Sequence, residues 1–121
     1  MCYTASEKAG IDEVRAVFQE HLRQCPDYEL LWSDKVGYVW LAIGLEPLYV
    51  DTGRRIESAE DLCRECLESI GMDVLYLTDK DHGFENADAQ ERAEIRQRWE
   101  PFMAQLPQFH YLCSEILDDE E

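Results

Sequence analysis

Basic residues are scarce in this chain. Of its 121 residues only 11 are Lys or Arg, against 27 Asp or Glu, and the formal net charge is −16. Such a field repels bare nucleic acid and anionic membrane surfaces. The bases do not cluster, apart from Arg54-Arg55, so direct nucleic-acid binding has no support. Long apolar runs are missing as well. The longest, Val36 to Leu45, has ten residues and contains two glycines. That is far short of the ~20 needed to span a bilayer, and no membrane association is expected. Met1 to Gly10 lacks a basic segment and an apolar segment, so it does not read as a secretory leader. Glycine and proline number only 6 and 4, with no linker, repeat or low-complexity tract before the C-terminal tail. Phosphate-binding glycine loops are absent, and so is any sequence context for a nucleophilic Ser or Cys.

What is present is material for a folded interior. Apolar residues make up 45% of the chain and charged residues 31%, and there are 13 aromatics. A chain of this length buries roughly two thirds of its unfolded surface, enough to fold without staples. Intrinsic disorder and a disulfide-held mini-scaffold are excluded on these grounds. One compact domain over 1–121 is expected, with a frayed acidic tail at about 118–121. The acids are unevenly placed. Residues 1–60 carry 11 acids and 6 bases, net −5, whereas residues 61–121 carry 16 acids and 5 bases, net −11. Five cysteines, at 2, 25, 63, 66 and 113, are an odd number. Without an export signal they read as reduced thiols, and the expected compartment is the cytoplasm.

Periodicity sets the element order. Ile11, Val14, Val17, Phe18, Leu22 and Cys25 form one helical stripe that Pro26 stops. Tyr28, Leu30 and Trp32 alternate, Asp34 to Gly37 supplies a turn, and Tyr38 to Ile43 is apolar on both faces. A hairpin with a central second strand, covered on both sides, follows. Leu48 to Val50 reads as a third strand, Asp51-Thr52-Gly53 as a turn and Arg54 to Ile56 as a pairing segment. Ser58-Ala59-Glu60-Asp61 opens a second helix that Gly71 is placed to end. Asp73 to Thr78 reads as a fourth strand. A third helix starts near Ala87 and meets Pro101, where a kink or break is expected. Phe109 to Leu117 fits two templates, a strand through Phe109, Tyr111 and Cys113 or a helix through Phe109, Leu112, Cys113, Ile116 and Leu117, and the helix is preferred. The expected class is α+β: a mainly antiparallel sheet of three to four strands packed against three to four helices. Trp32 and Trp40 are expected in or beside the core.

Four groups of residues invite a chemical reading. Cys63, Cys66, His110 and Cys113 are of zinc-ligand type and form two pairs, each three apart. Yet Cys63 and Cys66 fall on the apolar stripe of a helix rather than on a knuckle turn, so they read as small buried hydrophobes. As a redox pair they fare no better. Cys63 lies five residues past the proposed cap, Ser58, beside Asp61 and Glu65, whose charges oppose a thiolate. Asp51-Thr52-Gly53 resembles the catalytic triplet of aspartic proteases, but Arg54 stands where that family has a small residue and no later apolar-apolar-Gly element follows. Asp79, Asp81, Glu85 and Asp88, with His82 and Gly83, resemble a calcium loop. Counted from Asp79, the fifth and sixth positions are Gly83 and Phe84, where a ligand and a glycine are needed, so a solvated partner-contact loop is expected instead. No metal, cofactor or catalytic residue is assigned.

With no catalytic constellation, a non-enzymatic role is expected. The leading reading is a small acidic protein that binds a basic protein partner, as a regulator, inhibitor or immunity-type factor. One alternative is a DNA mimic, which Arg92, Arg96 and Arg98 beside Glu91, Glu94 and Glu100 argue against. Another is an enzyme, or a small-ligand or metal-binding domain, with a pocket between sheet and helices.

Overall fold

The computed structural model describes residues 3–43, 50–77, 84 and 87–118. Helices and a three-stranded antiparallel sheet make it an α+β fold, as the element order implied. The chain divides into two compact units, Met1–Leu62 and Cys63–Glu121. Among the described residues no helix is long and apolar enough to cross a membrane.

The N-terminal unit opens with α1 (Ala5–Val17). Its start lies ahead of the apolar stripe and is set by a reciprocal cap. The Thr4 hydroxyl accepts from the Glu7 N–H at 3.0 Å, and the Glu7 carboxylate accepts from the Thr4 N–H at 2.7 Å. Ile11, Val14 and Phe18 are fully buried. At Phe18 the backbone relaxes to φ −94°, ψ 11°, and α2 (Gln19–Gln24) continues from there. The expected single helix is thus two, joined by hydrogen bonds from Phe18 to Val14 and from Leu22 to Phe18.

The sheet follows in the order β1 (Tyr28–Ser33), β2 (Gly37–Ile43), β3 (Val50–Arg55). Tyr28 faces Ala42, Trp32 faces Tyr38 and Ser33 faces Gly37, so β2 is central, as its composition required. Its burial is one-sided, however. Tyr38 and Trp40 are buried, while Val39, Leu41 and Ile43 are half-buried. Asp51-Thr52-Gly53 is not a turn. It lies inside β3, with Thr52 opposite Ala42 and Gly53 opposite Leu41, because the β2 backbone supplies a ladder that outweighs local turn preference. Leu48 and Tyr49, expected in this strand, lie outside the described residues.

Ser58 does cap the next helix, α3 (Ala59–Leu77), by accepting from the Asp61 N–H at 3.2 Å. The shorter Asp61 side chain returns its bond to the Glu57 N–H, at 2.8 Å, rather than to Ser58. It is held from the other side by the Arg54 guanidinium, with N–O distances of 2.5 and 3.0 Å.

In the C-terminal unit, α3 corrects two expectations. Gly71 does not end the helix, and Asp73 to Leu77 is helix rather than strand. Leu67, Ile70 and Val74 keep the helical spacing and are buried, so the burial pattern runs on past the glycine. Gly71 is small for a different reason. The Phe84 ring lies against its Cα, closer than a Cβ would permit. Next comes α4 (Ala89–Met103), capped by Asp88, whose carboxylate accepts from the Glu91 N–H at 2.8 Å. It runs past Pro101 and stops two residues later. A 3-10 turn over Pro107–Phe109 leads to α5 (Tyr111–Leu117), so the last segment is helical, as expected. Trp99 is buried, and its indole N–H donates to the Leu67 carbonyl at 2.8 Å.

Candidate protein-binding surface

Among the described residues, the exposed large apolar side chains gather on the β1–β2 hairpin. Among the described residues, the large apolar side chains most open to solvent are Leu31 (41%), Trp32 (45%), Val36 (45%) and Tyr111 (46%). Three of these four lie within six residues of one another on one hairpin. Isolated exposed hydrophobics are ordinary, whereas a cluster containing Trp marks a contact surface. Of the two tryptophans expected in or beside the core, Trp40 is buried within it, and Trp32 lies beside it, exposed on one side and against buried Tyr38 on the other.

The cluster is built to hold its shape. In the turn, the Ser33 hydroxyl accepts from the backbone N–H groups of Lys35 and Val36, at 3.2 and 3.4 Å. The Trp32 indole N–H donates to the Asp34 carboxylate at 2.9 Å, fixing the ring's edge. Tyr38 meets the same ring edge-on, with centroids 4.8 Å apart, and Tyr3 lies 6.4 Å away. Tyr3 is itself pinned twice. Its hydroxyl donates to the Ile56 carbonyl at 2.6 Å and accepts from the Tyr38 N–H at 3.0 Å. The Arg55 guanidinium lies over the Tyr3 ring at 4.5 Å and donates to the Val36 carbonyl at 2.8 Å.

Charge enters from α1. The Asp12 carboxylate accepts from the Tyr38 hydroxyl at 2.5 Å and from the Lys8 ammonium at 2.9 Å. The same ammonium lies 5.2 Å from the centre of the Trp32 ring. The Tyr38 bond, and then the Lys8 bond, hold the Asp12 carboxyl below the ordinary carboxylate range, while partial burial works against them. Burial first, and then the bond to Asp12, push the Tyr38 phenol up to about 12.

A titration follows from this pair. The raised Tyr38 value means that the neutral phenol contributes stability below its ordinary value of 10.0, and that this is lost as pH rises towards about 12. In an ultraviolet phenolate titration Tyr38 should ionise with a midpoint near 12. Asp12→Asn should bring that midpoint down, because it removes the adjacent negative charge. An unchanged midpoint in the variant contradicts the assignment.

No known protein family, characterised protein or solved structure matches this chain.

The other sequence candidates are placed as follows. Cys63 and Cys66 are fully buried on α3 and Cys113 is buried on α5, none of them in a disulfide. Among the described residues no group of three His, Cys, Asp or Glu side chains is arranged to hold a metal. Cys113 and His110 line a cavity of about 270 Å³ with Arg96, Trp99, Glu100 and Met103, inside the C-terminal unit. Of the acidic loop, Asp79, Asp81, His82, Gly83 and Glu85 lie outside the described residues, and Asp88 serves as the α4 cap. The tail residues Asp119, Glu120 and Glu121 also lie outside them. Arg98 pairs with Glu94 at 3.6 Å, as the spacing implied, and Arg92 donates to the Ala87 and Phe84 backbone carbonyls.

Proposed function

We propose that this protein is a cytoplasmic, non-enzymatic binding protein that docks a basic protein partner through the β1–β2 hairpin, as a regulator, inhibitor or immunity-type factor. The exposed cluster of Leu31, Trp32 and Val36 carries this reading. An apolar patch containing Trp, set in a molecule of net charge −16, fits a partner whose apolar contacts are ringed by Lys and Arg. The paired cations among the acids, Arg64 with Glu115 and Arg98 with Glu94, favour a protein partner over a DNA mimic. The small-ligand alternative calls for a pocket between sheet and helices, whereas the cavity beside Trp99 is lined from α4, α5 and the turn between them.

The test is affinity capture at low ionic strength with the wild type and with a Leu31→Ser, Val36→Ser double variant. Both positions are exposed, so melting should change little. The wild type should retain a basic protein that added salt releases, and the variant should retain at least tenfold less of it. Equal retention by both proteins removes the hairpin from the reading.

A further inference from the structure

We propose that the face of the Trp32 indole is a seat for a cationic side chain of the partner, and that Lys8 fills it only until the partner arrives. The inference rests on the hairpin reading and adds the chemical group that is recognised.

Four observations carry it. The seat already holds an alkylammonium, since the Lys8 Nζ lies 5.2 Å from the Trp32 ring centre. That occupant is weakly held. Lys8 and Asp12 lie on adjacent turns of one helix, with side chains 45% and 41% exposed, and water screens so open a pair almost completely. The anion beside the seat does not leave with it, because Asp12 stays tied to the Tyr38 hydroxyl at 2.5 Å. Finally, Asp34 accepts from the Trp32 N–H, which fixes the ring's edge and places a second carboxylate at its rim. A fixed aromatic face between two anchored carboxylates is the arrangement that selects cations.

Arginine suits the seat better than lysine. Its guanidinium stacks flat on an indole and can present two N–H groups to the Asp12 carboxylate. Apolar residues flanking that arginine would lie over Leu31 and Val36. The partner segment is therefore an arginine set between apolar residues. Lys8 acts as an internal competitor that lowers affinity for stray cations.

N-acetylarginine amide tests the seat directly, with N-acetylcitrulline amide as its uncharged counterpart. Titration is followed by the indole N–H resonance of Trp32. The arginine probe should shift that resonance saturably and the citrulline probe should not. Lys8→Met should tighten the arginine probe roughly three- to fivefold, the factor expected for one exposed cation–π contact. Trp32→Leu should abolish binding, as judged from the Lys8 and Asp12 backbone resonances. Equal affinity in the Lys8→Met and wild-type proteins overturns the proposal, as does a Trp32→Leu variant that binds as before. If these fail while the Leu31→Ser, Val36→Ser protein still loses its partner, the hairpin reading stands and only the cation seat is wrong.

Discussion

Arg92→Met should destabilise the C-terminal unit by about 2–4 kcal/mol, read as a lower midpoint in urea unfolding. The Arg92 guanidinium donates to the Ala87 carbonyl at 3.0 Å, to the Phe84 carbonyl at 3.1 Å and to the Leu117 carbonyl. One side chain thus satisfies acceptors from the approach to α4 and from the last turn of α5. It does for α5 what a cationic residue does at a helix C-terminus, from outside that helix. Removing it leaves three carbonyls to find water in a partly buried place, and each bond to a charged donor contributes ~1.5–3 kcal/mol before water offsets part of it. Arg92→Lys should recover less than half of the loss, because an ammonium cannot span the same three acceptors. Amide exchange should rise most in Cys113 to Leu117. A change below about 1 kcal/mol in Arg92→Met would show that water replaces the guanidinium at little cost.

Gly37→Ala should cost roughly 3–5 kcal/mol, an effect of the same order. Gly37 opens β2 with φ at 94°, outside the range an L side chain adopts without strain. An added Cβ would lie 2.5 Å from Cε2 of Tyr3 and 2.7 Å from its Cζ and hydroxyl oxygen. The ring cannot step aside freely, since the Tyr3 hydroxyl is bonded to Ile56 and Tyr38. Backbone strain and lost hydrogen bonds therefore add. In a Tyr3→Ala background the penalty of Gly37→Ala should shrink to the strain alone, about 1–2 kcal/mol. A penalty unchanged by removal of the ring would assign the whole effect to the backbone.

The sheet was legible because its signal is local. Tyr28 to Ser33 alternates, Tyr38 to Ile43 is rich in aromatic and β-branched residues, and the turn between them has the composition of a turn. The α+β class and the central place of β2 follow from that alone. The misread elements are those decided by distant partners. Val74, Leu75, Tyr76 and Leu77 form a short apolar run that suits strand or helix equally. What settles it is a burial pattern continuing through Gly71, and the glycine's real constraint is a ring thirteen residues further on. Asp51-Thr52-Gly53 has turn chemistry, but the β2 backbone beside it offers partners that no local pattern reveals. One signal was available and missed. Thr4 and Glu7 stand at capping-box spacing and mark the true start of α1. That start matters for the candidate site, because the first turns of α1 bring Lys8 and Asp12 to Trp32 and Tyr38. Composition points to aromatics in a core, whereas the register leaves Trp32 beside the hairpin turn, open to solvent.

The three tryptophans occupy three unlike environments. Trp32 is open to solvent with its N–H on Asp34, Trp40 is buried with no hydrogen-bond partner for its N–H, and Trp99 is buried with its N–H on a backbone carbonyl. The first two belong to Met1–Leu62 and the third to Cys63–Glu121. The molecule thus carries its own fluorophores, one set in each half. Phenylalanine at 99 would leave an emission signal from the N-terminal half alone, and phenylalanine at 32 and 40 would leave only the other. Superimposed melting curves from those two proteins would mean that both halves melt as one cooperative body, and separated curves would give each half its own transition.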